Sequence, residues 1–177
     1  MRPSSFRPPS VGFTLVEVLM TLTVAAVLFA IAVPAFTQMV ANSRIRSATS
    51  SLHTAVLTAR SEALKRNCRI TLQPKAGGWS NGWQVIATEA DCQRTPGDEY
   101  TGDLTLQDIA TNGMVVSTNP AALANIVYLP SGRMAGNPAF LVQDADELGK
   151  RRCVVVELGG MPRVVEAGDH LLCPEPA

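Results

Sequence analysis

Glu17 is the one ionisable residue between Arg7 and Arg44, and it stands near the start of the apolar stretch GFTLVEVLMTLTVAAVLFAIAVPAF, Gly12 to Phe36. A carboxylate at the centre of a bilayer costs about 2.5–3.5 kcal/mol and is tolerated when a cation pairs with it. Its chemistry is then either ion pairing at a defined membrane depth or that of a carboxylate that snorkels to the interface with no partner. Cys68, Cys92, Cys153 and Cys173 all follow this stretch; no Cys-x-x-Cys and no clustered histidine accompanies them, so disulfides are expected and a zinc site is not. His53 and His170 lie in none of the G-x-S-x-G, H-E-x-x-H or phosphate-loop patterns that place a nucleophile, a metal or a phosphate. Asp91, Asp98, Glu99 and Asp103 lack the alternating ligand rhythm of a calcium loop and read as a solvated loop. The side chains thus predict no enzyme, no metal and no cofactor.

The elements around these residues begin with a membrane span. From Phe13 to Val33 the chain has no Lys, Arg or Asp, and these roughly 21 residues make a helix about 31 Å long, which matches a hydrocarbon core of about 30 Å. The leader MRPSSFRPPSVG carries Arg2 and Arg7 and no acid, so the positive-inside rule keeps it cytoplasmic and exports everything past Phe36. All four cysteines then reach an oxidising compartment. A secretory signal peptide is the competing reading, with Ala30-Ile31-Ala32 as an A-x-A-like site. Against it, such an apolar core spans only about 7–15 residues, gains nothing from Glu17, and is outrun here by a helical pattern that continues beyond that site.

Pro34 removes a backbone donor and crowds the preceding turn, so a bend is expected there and not an end. From Ala41 onward Ile45, Ala48, Leu52, Val56, Ala59 and Ala63 recur at spacings of three and four, leaving Arg44, Arg46, Ser47, Thr58 and Arg60 on other faces. That mostly alanine stripe should pack on a head, and Asn67 is a plausible helix stop. After Asn67 the period changes towards two. Short strands are predicted at Cys68–Leu72, Trp83–Thr88, Leu104–Ile109, Met114–Ser117, Asn125–Leu129, Ala139–Gln143, Cys153–Leu158 and Arg163–Ala167. Turns are predicted at Gly77–Gly82, Thr95–Asp98, Asn112-Gly113, Pro130–Gly132, Gly136–Pro138 and Gly159-Gly160. With no helical spacers, antiparallel pairing follows. With 177 residues, 46% of them hydrophobic, and 15 basic residues against 15 acidic, the chain is sized for one domain, and its overall charge favours no polyanionic partner.

The junction Gly12-Phe13-Thr14-Leu15, with Glu17 five residues after the glycine, the long apolar run and Pro34, resembles the class III leader and N-terminal helix of type IV pilins and type II secretion pseudopilins. The resemblance implies cleavage by a prepilin peptidase between Gly12 and Phe13, N-methylation of the new Phe13 amine, and a Glu17 that neutralises the amine of a neighbouring subunit during assembly. Farther along, ARSEALKRNCRITL, GGWSNGWQVIATEADC with a Trp79–Trp83 hairpin, YLPSGRM and RRCVVVELGGMPRV are similar to minor pilins and pseudopilins of the FimT, FimU and GspH type. The implied fold is α+β, type IV pilin-like: leader 1–12, N-terminal helix 13–67 with its membrane span at about 13–33, and a periplasmic β-rich head 68–177. The implied function is that of a minor pilin in a type IV pilus tip or initiation complex, with the type II secretion minor pseudopilin as the alternative. Its partners are other minor pilins, the major pilin, the prepilin peptidase and the inner membrane. It is held there as a single pass, N-terminus cytoplasmic and head periplasmic, before it enters a pilus or pseudopilus. Assembly residues are Glu17 and Pro34. Of the three pairings open to four cysteines, the local ones, Cys68 with Cys92 and Cys153 with Cys173, join ends of segments that hairpins already bring close.

A third reading is DNA capture, a role associated with some FimT-like subunits through a Gly-Arg-x-Arg motif. Here the corresponding stretch is Gly160-Met161-Pro162-Arg163, in which only the last arginine matches, Met161 offers no phosphate donor and Pro162 no backbone N–H. Lys150, Arg151 and Arg152 are placed to join Arg163 in a basic patch, although a solvated charged turn is the commoner reading, and Trp79 and Trp83 could stack on bases, although a Trp bounded by hairpin glycines more often packs on a sheet or the helix. Loss of Arg2 and Arg7 with the leader leaves 13 basic residues against 15 acidic, which weakens this reading.

Overall fold

Helix α1 runs over Leu15–Arg66 in the computed structural model, which describes residues 12–88, 92, 104–111, 113–134, 136–167 and 172–174. Thr14 supplies its N-cap: its Oγ1 accepts the Glu17 backbone N–H at 3.2 Å, and Thr-x-x-Glu is a capping-box sequence. The helix passes through Pro34 without ending, as expected. Thr21, Thr23 and Thr37 return their hydroxyl hydrogens to the carbonyls of Val18, Met20 and Pro34, so these polar groups are satisfied within the helix itself. At the far end Asn67 adopts φ 53° and the Cys68 N–H reaches the Ala63 carbonyl at 3.3 Å, a left-handed cap that stops the helix.

Two compact units divide the chain, Met1–Thr37 and Gln38–Ala177. In the second, α1 contributes a buried stripe of Ala41, Ile45, Ala48, Thr49, Leu52, Ala55, Val56, Ala59 and Ala63. It contains the whole alternating stripe seen in the sequence. The strands follow in order: β1 Ile70–Lys75, β2 Gly78–Ala87, β3 Leu104–Ala110, β4 Met114–Asn119, β5 Ile126–Tyr128, β6 Ala139–Asp144, β7 Arg152–Val156 and β8 Pro162–Glu166. They form two four-stranded sheets, β3-β2-β1-β5 and β4-β6-β7-β8, with every pairing antiparallel. One core joins the helix stripe to Ile70, Leu72, Trp83, Val85 and Tyr128 of the first sheet and to Phe140, Val142, Val154 and Val156 of the second. The sheets meet where Ser80 Oγ accepts the Val116 N–H at 3.0 Å and the Ser80 carbonyl accepts the Thr111 hydroxyl at 2.7 Å.

All eight predicted strands are present, with shifted ends. Strand β1 starts at Ile70 and not at Cys68, because Asn67 and Cys68 are used up in the helix cap. The turn expected over Gly77–Gly82 is not one. Lys75 pairs with Gly78 across Ala76-Gly77, after a bulge between Pro74 and Lys75, so Trp79–Trp83 is a continuous part of β2 and not a hairpin. Gly82 sits there with φ 112° because β3 crosses so closely that an added Cβ would lie 2.1 Å from the Ile109 carbonyl oxygen. A glycine inside a strand marks close backbone approach as well as turns. The turn expected at Thr95–Asp98 lies outside the described residues, as do Asn112, His170, Asp91, Asp98, Glu99 and Asp103.

Candidate assembly surface

Every described residue from Gly12 to Val40 is exposed or half-buried. Phe13, Phe29, Ile31, Phe36 and Met39 are each about two-thirds exposed or more. Among the described residues α1 is the one helix long and apolar enough to cross a membrane, and none of its apolar window is buried. A helix apolar on all sides needs lipid or other helices around it. Gly12 and Phe13 precede the first turn, and nothing lies within 4 Å of where a Gly12 side chain would begin. Glu17 stands at the third helical position, where the amide ends of the helix favour negative charge. Sequence reasoning weighed only pairing and snorkelling for Glu17. The Thr14 cap was legible in Thr-Leu-Val-Glu and gives this residue a second, local role.

The head is closed by two disulfides. Cys68 joins Cys92, with 4.9 Å between their Cα atoms, and ties the capped end of α1 to the segment after β2. Cys153 joins Cys173 at 6.0 Å, on the side of the second sheet that carries a small separate cluster of Ala139, Cys153 and Val155 with Val165, Leu172 and Cys173. Asn119 Nδ2 donates to the Leu172 carbonyl at 2.9 Å, holding the C-terminal segment on that face.

Arg152 and Arg163 do not come together in one basic patch. Cross-strand partners share a sheet face, and β7–β8 register pairs Arg152 with Glu166 and Val155 with Arg163. Arg152 therefore belongs to the face of Val154 and Val156, and Arg163 to the opposite face with Cys153. Arg163 is also bonded to Glu157 at 3.2 Å. Lys150 and Arg151 are exposed in the loop before β7, where the Lys150 N–H donates to Asn42 Oδ1 of α1 at 2.8 Å. The tryptophans pack inside the head, the commoner of their two expected roles, and so are not available for stacking on bases. Trp83 is fully buried and Trp79 nearly so. Trp79 donates its Nε1 hydrogen to the Leu123 carbonyl at 2.8 Å and meets Phe140 edge-on at 4.9 Å. Among the described residues no three His, Cys, Asp or Glu gather as a metal site.

A long N-terminal helix, bare over its first half and laid on antiparallel sheets over its second, is the arrangement of the type IV pilin-like fold. Residues 48–160 match the family model described as Type II transport protein GspH. The chain belongs to that family, the minor pilins and pseudopilins of the FimT, FimU and GspH type, whose members are structural subunits and not enzymes. The type IV minor pilin FimU of Pseudomonas aeruginosa superposes with a TM-score of 0.55 at 15% identity over 75% of this chain and 96% of that one. A second crystal form of it gives 0.53 at 16% identity over 73% and 99%. At those identities the likeness establishes the fold. The type IV major pilin PilA of Myxococcus xanthus is 32% identical over 100 residues, which is 52% of this chain and 44% of that protein. The match thus spans less than half the length of that relative.

Proposed function

We propose that this chain is a minor pilin, processed between Gly12 and Phe13 and N-methylated on Phe13, that enters the tip or initiation complex of a type IV pilus. The observation that carries this reading is the contrast within α1: its first half exposes a surface that is almost wholly apolar apart from Glu17 and a few threonines, while the second buries one stripe in a disulfide-closed head. Before assembly the exposed half lies in the inner membrane with the head outside the cytoplasm. On leaving the bilayer it is buried among the helices of other pilins, because so much apolar surface does not persist in water. Glu17 pairs with the Phe13 amine of a neighbour and sets the axial register. The test is copurification of the full chain with the other minor pilins from solubilised membranes, wild type against Glu17→Ala, with N-terminal sequencing of the product. Recovery of partners with wild type alone, and an N-terminus at Phe13, is the expected result. A variant that copurifies equally well refutes the role of Glu17.

The match to a family described as a type II transport protein favours a second reading, a minor pseudopilin of type II secretion. Deleting the gene separates the two: loss of surface pili supports the first, and loss of exoprotein release with pili intact supports the second.

A further inference from the structure

Asn42 lies at the start of the head-bearing part of α1, and the loop between β6 and β7 is fastened to it. Gly149 makes the approach possible, with φ 84° and a position where an added Cβ would stand 2.9 Å from Asn42 Oδ1; the next residue, Lys150, donates its N–H to that oxygen. The fastening divides the loop by charge. Its acidic half, Asp146 and Glu147, follows Ala145, whose N–H bonds the Gly113 carbonyl at 3.1 Å. Its basic half, Lys150 and Arg151, is exposed beside Asn42. Arg46 is exposed as well, one helical turn after Asn42 on the same face. None of these three cations takes part in an ion pair among the described residues.

Along the chain Asn42, beside which this group lies, follows directly on the apolar run. The exposed apolar run ends at Met39, three residues before Asn42. From Leu15 to Met39 the helical rise along the chain is about 36 Å, more than the roughly 30 Å hydrocarbon core and short of the roughly 40–45 Å of a bilayer with its headgroup layers. Resting on the membrane-held reading of α1 given above, we infer that Arg46, Lys150 and Arg151 form a contact for the headgroups of anionic phospholipids, steadying the head on the bilayer until the subunit is drawn into a filament. Basic residues beside a span are attracted to an anionic surface over about one Debye length.

The full chain, reconstituted in vesicles of phosphatidylcholine alone or mixed equally with phosphatidylglycerol, tests this by amide hydrogen exchange over residues 145–152. Roughly fivefold slower exchange is expected with phosphatidylglycerol at low salt, with the difference lost at high salt and in the double variant Lys150→Glu, Arg151→Glu. Equal exchange in vesicles with which the protein floats overturns the lipid contact and leaves the membrane-held reading standing. A protein that floats with neither vesicle refutes that reading and the contact with it. Protection brought by a DNA duplex and not by phosphatidylglycerol overturns the contact in favour of nucleic acid.

Discussion

Tyr128 donates its phenolic hydrogen to the Gly160 carbonyl oxygen at 3.0 Å, linking the edge strand β5 of one sheet to the β7–β8 turn of the other. Gly160 is held there at φ 78°, where an added Cβ would lie 2.5 Å from the Gly132 carbonyl oxygen. That same oxygen accepts Arg60 Nε of α1 at 3.2 Å. Helix, first sheet and second sheet are thus tied at one point near the end of α1.

Tyr128→Phe removes the side-chain hydrogen bond to the Gly160 carbonyl and should cost about 1–2 kcal/mol, read from the denaturation midpoint. It should also change the alkaline limb of stability. Burial pushes the Tyr128 phenol well above its usual 10, outweighing the nearby Arg60, which pulls it down. The unfolded chain therefore ionises first as pH rises past about 10, and the folded state loses stability from there upward. In Tyr128→Phe that part of the decline should be absent.

Gly82→Ala should be among the most damaging single methyl additions. It combines φ 112° with a contact of 2.1 Å to the Ile109 carbonyl oxygen, so β2 and β3 must part locally. A loss of about 3 kcal/mol is expected. Gly159→Ala, with nothing within 4 Å, should stay within about 0.5 kcal/mol of wild type. Equal losses for both would contradict the close approach of β3 to Gly82.

The disulfides make a prediction of connectivity and of stability. Peptide mass mapping without reductant should recover Cys68 with Cys92 and Cys153 with Cys173 and no crossed pair. Replacing Cys153 and Cys173 together by Ser should cost about 3 kcal/mol for a loop of this length. It should also release the C-terminal segment, measurable as faster amide exchange around Leu172.

Glu17 combines a capping position with a charge, and two substitutions separate them. Glu17→Ala should leave the melting temperature of the head unchanged, because every buried core residue lies in the unit Gln38–Ala177, while abolishing copurification with other pilins. Glu17→Gln keeps a capping-box residue without the charge. Its failure to copurify would assign the assembly role to the carboxylate.

The elements of this protein are written locally. A run of apolar side chains, a capping threonine, an asparagine able to take positive φ, and stretches of period two each act over a few residues. The long apolar helix, its stop at Asn67, the packed stripe from Ile45 to Ala63 and all eight strands could therefore be read from the sequence alone. What only the tertiary structure decided depends on register between residues far apart. Gly82 reads locally as a turn, and it is the closeness of β3 that makes it part of a strand. The β7–β8 pairing sends Arg152 and Arg163 to opposite faces although both stand in one hairpin, and the packing of two sheets on one helix decides between the two roles open to the tryptophans by burying both. Lys150 comes to Asn42 across 108 positions because a glycine lets two backbones meet. Such meetings are set by pairing and close packing across the whole fold, for which no short stretch of sequence carries the signal.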